Sequence, residues 1–135
     1  MLQPTTIFYI ERALSIVAAV ILLQTLYFKF TAAPVSVHIF STLDIEPWGR
    51  IGSGIVELIS GILLSIPKTS LYGAILALGT MSGAILSHLL FLGIDVQNDG
   101  GSLFMMAMIV TVCSFGVIFI KRDELESLFS KFIKI

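Results

Sequence analysis

Four apolar segments, each about as long as a bilayer is thick, constrain the fold of this chain more than any other feature. They cover residues 7–28, 48–66, 70–92 and 102–120. A bilayer core of about 30 Å requires about 20 predominantly apolar residues of helix. Backbone groups in lipid are satisfied only within helices or closed barrels, and these segments are too long for barrel strands. The sequence therefore predicts four membrane-spanning helices.

The composition excludes several classes of protein. Of the 135 residues, 56% are hydrophobic and 13% are charged, whereas an ordinary soluble domain carries about 25% charged residues. The length suits one domain. The net charge of −1 gives no electrostatic reason to expect nucleic acid as a partner. Cys113 is the single cysteine, so an internal disulfide framework and a CxxC redox pair are excluded.

Two stretches outside the spans also have helical patterns. Residues 31–46 are too polar to span, but Pro34 can start a short helix with Val35, Ile39 and Leu43 on one side. We expect this helix to be an extracytoplasmic interfacial cap. The tail, residues 121–135, separates an apolar face from a charged one, as in a helix lying in the membrane surface, and a soluble packing helix is the alternative. Its apolar face consists of Leu125, Leu128, Phe129, Phe132 and Ile133.

The distribution of lysine and arginine predicts the orientation. The side that holds both termini and the turn between the second and third spans has six basic residues, whereas the other side has only Lys29 and Arg50, beside Asp95 and Asp99. Cytoplasmic flanks are enriched in basic residues, which places both termini in the cytoplasm of a multi-pass cell-membrane protein. The six are Arg12, Lys68, Lys121, Arg122, Lys131 and Lys134.

The predicted fold class is therefore all-α. A four-helix transmembrane bundle occupies residues 1–120, with the short interfacial helix on its extracytoplasmic side. Residues 121–135 form a cytoplasmic amphipathic helix. Asp99, followed by Gly100 and Gly101, is expected to cap the fourth span.

Glu57 is the most informative polar residue, because an ionisable side chain at the centre of a membrane helix costs about 2.5–3.5 kcal/mol. It follows Arg50 by seven residues and so lies about 10 Å deeper along the helix. It shares a face with the small residues Gly61 and Ser65, which allows close helix packing and directs Glu57 into the bundle. Glu57 either belongs to a ligand site or pairs with Arg50 or Lys29 only to hold two helices together.

Polar side chains from all four spans converge in the outer half of the membrane, whereas the inner half is expected to be almost purely apolar. His88 is either part of this cluster or a packing residue. No metal site is expected, because Met105, Met106 and Met108 point around their helix, and no catalytic residue is assigned. The candidate ligand-binding residues are Gln24, Lys29, Arg50, Glu57, His88 and Asp99.

Several short motifs lie in the predicted spans and at their ends. They are Phe28-Lys29-Phe30, Arg50 seven residues before Glu57, Pro67, Gly73-Ala74, Ser82-Gly83-Ala84 with His88-Leu89, and Asp99-Gly100-Gly101 with Phe104. Together they resemble the motifs of the DoxX-like family of small four-helix membrane proteins. The resemblance covers residues 29–104, and it implies the fold together with a link to quinone-dependent oxidation in respiratory membranes.

Two function classes follow from these observations. In the first, the chain is an accessory subunit of a quinone-linked oxidoreductase, in which His88 and Glu57 serve the quinone as hydrogen-bond donor and proton acceptor. Electrons then come from a redox partner subunit, because the chain has no metal or flavin motif and no intrinsic cofactor is expected. In the second class, it is a non-catalytic scaffold, an assembly factor or a carrier of a lipid-like ligand. The expected partners are the lipid bilayer and either a redox subunit or a second copy of the chain.

Overall fold

The computed structural model describes residues 2–134, and it is all-helical with no strand over that range. The prediction of an all-α fold is confirmed. A π-helical turn, His88–Leu92, continues directly from α4. The α-helices are α1 (Pro4–Phe30), α2 (Pro34–Thr42), α3 (Trp48–Ser65), α4 (Ser70–Ser87), α5 (Ser102–Ile120) and α6 (Arg122–Ile133).

Three helices within residues 2–134 are long and apolar enough to cross a membrane, by length and composition. They are α1, α4 with its π-helical turn, and α5. The last two coincide with the predicted spans 70–92 and 102–120. α3 is not among these three, and its 18 residues include the charged Arg50 and Glu57. These helices indicate a membrane protein, and a crossing by α3 stays a prediction.

The four long helices pack in a ring, in which α1 and α4 each contact both α3 and α5. α3 and α4 approach each other closely at Gly73, where a Cβ atom would lie 2.7 Å from the backbone nitrogen of Leu64 and 2.8 Å from the carbonyl oxygen of Ser60. Only glycine allows the two backbones to come this near. The buried core between the helices is made largely of small and branched side chains, among them Ala18, Leu22, Leu64, Ala77, Val110 and Val117.

The two short helices differ in how they contact this ring. α2 begins at Pro34, as predicted, and contacts α1, α3 and the π-helical turn. α6 is a helix as predicted, but no residue of Arg122–Ile133 is buried. Part of its apolar face, including Leu125 and Phe129, borders a small cleft against Tyr72 and Ile75 of α4. The membrane-surface position of α6 stays a prediction.

Candidate ligand-binding site

A cavity of about 790 Å³ lies among the C-terminal parts of α1 and α4 and the N-terminal parts of α3 and α5. This volume lies within the range of about 300–1,000 Å³ that is typical of small-molecule sites. α2 closes one side of the cavity with Val35, Ile39 and Leu43, the three residues predicted to share a face. The rest of its apolar lining includes Ile21, Leu22, Phe28, Phe40, Leu92, Val96, Leu103 and Met106.

The structure brings five of the six predicted site residues to the wall of this cavity. They are Gln24, Lys29, Glu57, His88 and Asp99. Arg50, the sixth, is buried outside the cavity wall.

Arg50 instead joins α3 to the end of α1. Its Nε donates hydrogen bonds to both carboxylate oxygens of Glu46, at 2.9 and 3.1 Å. Its Nη1 donates to the backbone carbonyl of Lys29. Nε and Nη1 of the guanidinium are therefore held by protein groups, and Arg50 is not among the residues that line the cavity.

Lys29 and Glu57 form an ion pair between α1 and α3, which identifies Lys29, and not Arg50, as the partner of Glu57. Thr25 donates a hydrogen bond of 3.3 Å to the other carboxylate oxygen of Glu57. The Glu57 residue is 3% exposed. The Nζ of Lys29 also lies 5.9 Å from the ring centroid of Phe40 in α2, within cation–π range. Sequence reasoning missed Thr25 and Phe40, because neither is unusual in an apolar helix.

His88 is buried at the start of the π-helical turn. Its Nδ1 lies 2.9 Å from the carbonyl oxygen of Gly93, and because a carbonyl only accepts, Nδ1 carries the hydrogen. In the neutral ring Nε2 is then an acceptor, and it has no hydrogen-bond partner among residues 2–134. Gly93 has a φ of +78°, which favours glycine at the end of this turn. π-Helical turns often mark functional sites.

Asp99 organises the loop before α5. Its Oδ1 accepts hydrogen bonds from the backbone N–H groups of Val96 (3.0 Å) and Gly101 (2.8 Å), and its Oδ2 accepts one from Leu103 (3.1 Å). Desolvation raises the pKa of Asp99, but these backbone donors outweigh it and hold the pKa below its usual value. Asp99 thus stabilises the first turn of α5 through Leu103, although the N-cap position of the helix is Gly101 and not Asp99.

Gln24 connects α1 to α5 across the cavity wall. Its Nε2 lies 3.2 Å from the thioether sulfur of Met106, a weak acceptor that leaves the amide free to exchange partners. Within the part of the chain that the structure describes, no group of three or more His, Cys, Asp or Glu side chains could hold a metal ion.

A second polar cluster, which sequence reasoning missed, lies at the opposite end of the ring. Oε1 of Glu11 accepts hydrogen bonds from Ser15 (2.6 Å) and Ser70 (2.7 Å), and Arg12 pairs with Oε2 at 2.8 Å. Arg12 also donates to the carbonyl of Ser65 at 3.3 Å. The expectation of an almost purely apolar inner half is therefore wrong. The available signal was the spacing of Glu11 and Ser15, which places both on one helical face.

The cavity combines a large apolar lining with an ion pair and an imidazole on different helices. Such a site suits a ligand with an apolar body and one polar end. Comparison of the chain with models of protein families, with curated proteins and with solved structures finds no match. The resemblance to the DoxX-like family accordingly depends on the sequence motifs alone.

Proposed function

We propose that this chain is a four-helix transmembrane protein that binds one quinone-like ligand in the cavity and serves as a DoxX-like accessory subunit of a quinone-linked oxidoreductase. The observation that carries the proposal is the apolar cavity whose wall contains Lys29, Glu57 and His88. The apolar lining accommodates a tail and the three polar residues accommodate a head group.

The crossing of the membrane by α3 is part of this proposal. Arg50 pairs with Glu46, and Glu57 pairs with Lys29, so neither charge of α3 is left for lipid to solvate. Charged residues in membrane helices occur mainly in such paired, inward positions. The contacts of α3 with α1 and α4, which are both apolar enough to span, support a common depth for the three helices.

Two exposed tyrosines of α1 support a position of this helix across the hydrocarbon core. Tyr9 is 66% exposed and Tyr27 is 70% exposed. At 1.5 Å per residue they are separated by about 27 Å along the helix, which is close to the thickness of the hydrocarbon core, about 30 Å. Tyrosines favour the two membrane interfaces. The excess of basic residues at the Tyr9 end favours a cytoplasmic position for both termini in the cell membrane.

The polar groups of the cavity fit quinone chemistry. An ammonium group has three donors, so Lys29 retains donors for a quinone carbonyl beyond the one that it gives to Glu57. Nε2 of His88 is free to accept a proton when a quinol is oxidised, as a general base does. The electrons then pass to a partner subunit, since the chain itself carries no redox motif.

A non-catalytic scaffold, assembly factor or lipid carrier is the second candidate, and one observation favours it. The Lys29–Glu57 pair and the bond from Arg50 to the Lys29 carbonyl both join α1 to α3. In that case the polar residues hold the helices together and the cavity contains lipid.

Two glycines of α4 provide a matched test. Gly83 lines the cavity and Gly79 does not, and no atom lies within 4 Å of a Cβ built on either residue. A Cβ at either position is therefore accommodated, and Gly83→Leu should obstruct the cavity at its wall, whereas Gly79→Leu should place the same side chain outside it. We expect the purified Gly83→Leu protein to lose binding of decylubiquinone, while Gly79→Leu retains it at the same melting temperature. Undiminished binding by Gly83→Leu would contradict a ligand site in this cavity.

Purification tests whether the chain occurs together with a quinone and a redox subunit. We expect gentle detergent extraction to yield the chain together with quinone and a redox subunit. A preparation that contains only copies of this chain and phospholipid would favour the scaffold or carrier.

A further inference from the structure

We infer that the cavity selects a neutral head group, with carbonyl or hydroxyl oxygens on an apolar body, over an anionic one, and that Glu57 is the residue that determines this selection. The inference depends on the proposed function only in that the cavity must bind a ligand. It adds the charge class of that ligand and assigns the discrimination to one side chain.

The lysine at the cavity wall is already paired, and a second carboxylate also lines the cavity. Of the described residues that line it, only four are ionisable: Lys29, Glu57, His88 and Asp99. Lys29 and Glu57 neutralise each other directly. The oxygens of Asp99 accept three backbone N–H groups. His88 gives its Nδ1 hydrogen to a backbone carbonyl.

Arg50 would attract an anion if it reached the cavity, but it does not line the wall. Its Nε is held by Glu46 and its Nη1 by the Lys29 carbonyl. No unpaired cation among residues 2–134 therefore lines the cavity to receive a carboxylate or phosphate.

An anionic head group would lose its hydration in this cavity without gaining a counter-charge, which is strongly unfavourable. It would also compete for one member of the Lys29–Glu57 pair and leave the other stranded, and breaking a buried pair costs more than the pair itself contributes. A neutral oxygen, by contrast, can use the remaining donors of Lys29 and the acceptor Nε2 of His88 while the pair stays intact.

Decanol and decanoate test this inference, because they share a tail and differ in the charge of the head group. Competition against labelled decylubiquinone is measured on the full chain in lipid nanodiscs. For the wild-type protein we expect the apparent dissociation constant of decanol to be lower than that of decanoate by about tenfold or more. Wild-type protein that binds the two equally would overturn the inference and leave the ligand site in place.

Glu57→Gln should largely remove the preference. The substitution leaves the ammonium of Lys29 without its carboxylate, so the affinity for decanoate should rise about tenfold relative to that for decanol. An unchanged ratio would show that Glu57 does not determine the selection. The exchange of both charges, Lys29→Glu with Glu57→Lys, retains a neutral pair and should retain the wild-type ranking. A wild-type protein that binds none of the three probes would instead contradict the proposed function.

Discussion

The carboxylate of Glu11 in α1 accepts a hydrogen bond of 2.7 Å from the hydroxyl of Ser70, the first residue of α4. Glu11 is 3% exposed, and its other acceptor positions are taken by Ser15 and Arg12. Arg12 in turn reaches the carbonyl groups at the end of α3, at Leu64 among others. One carboxylate thereby fixes the turn between α3 and α4 against α1.

Glu11→Ala should destabilise the protein strongly. The substitution leaves the Arg12 guanidinium and two buried hydroxyl groups without their acceptor, and breaking a buried pair by removing one partner costs about 3–5 kcal/mol. We expect a value near the lower limit, because Arg12 keeps its bonds to α3. Thermal unfolding in detergent measures the effect, with the exposed Glu126→Gln as the control. A melting temperature equal to that of the control would contradict the role of Glu11.

Gly73 and Gly79 form a second matched pair, both in α4. A Cβ at Gly73 meets backbone atoms of Leu64 and Ser60 below 3.0 Å, whereas a Cβ at Gly79 meets nothing within 4 Å. Gly73→Ala should therefore push α3 and α4 apart and cost about 1–3 kcal/mol through overpacking. Gly79→Ala should be neutral or slightly stabilising, because alanine is the better helix former. Equal melting temperatures for the two variants would show that the close approach is not needed.

Hydropathy and length predicted most of the fold. The boundaries 70–92 and 102–120 agree with the structure because each segment ends at glycine, loop or charge signals that are local in the sequence. α3 is harder to recognise by hydropathy, since Arg50 and Glu57 lower its average. The charge of Arg50 is balanced by Glu46 and that of Glu57 by Lys29, which lies on a different helix.

The site was only partly predictable, because the partners of its charged residues lie on other helices. Arg50 and Glu57 share a face at a spacing of seven, but a separation of about 10 Å along the helix is too great for an ion pair. Lys29 is the partner of Glu57 because the C-terminal end of α1, which carries Lys29, packs against α3. Glu11 was missed because its burial requires Ser70, which is 59 residues away in the chain.

Asp99 gives the protein a defined response to acid. Because its pKa is lowered in the folded protein, its stabilising effect is fully present above the unfolded value, about 3.9. That effect is lost as the pH falls through the lower folded pKa. Asp99→Asn keeps one acceptor oxygen but loses the charge and the second oxygen, so at neutral pH it should cost less than about 1 kcal/mol, the effect of removing a capping side chain. The difference in melting temperature between wild type and Asp99→Asn should be constant from about pH 5 to 8 and should shrink below about pH 4. A difference that grows toward acid would contradict this assignment.

The orientation is tested with single cysteines introduced at Lys68 and at Asp95, after the buried Cys113 has been replaced by alanine. The two positions lie in the loops at opposite ends of α4. With six basic residues on the Lys68 side, a membrane-impermeant thiol reagent should label intact cells at position 95 and label position 68 only after permeabilisation. Labelling of position 68 in intact cells would place the cavity on the cytoplasmic side.

The Lys29–Glu57 pair can act as a structural link, as part of a ligand site, or as both, and a double-mutant cycle separates these roles. Lys29→Met should lower stability, because it strands the buried carboxylate of Glu57. Lys29→Met combined with Glu57→Gln should regain part of that loss, because no uncompensated charge remains. Arg50→Met combined with Glu57→Gln is the control, and its effects should be closer to additive because Arg50 and Glu57 do not touch.

The decisive measurement is binding of decylubiquinone to the rescued Lys29→Met, Glu57→Gln protein. If the pair is part of the ligand site, this variant should regain stability yet bind the quinone more weakly than wild type, because it lacks the ammonium donors of Lys29. If the pair only links α1 to α3, stability and binding should recover together, since the cavity keeps its shape and its apolar lining. We expect the two properties to separate, because Lys29 faces the cavity while it pairs with Glu57. Joint recovery of stability and affinity would assign both residues to helix packing alone.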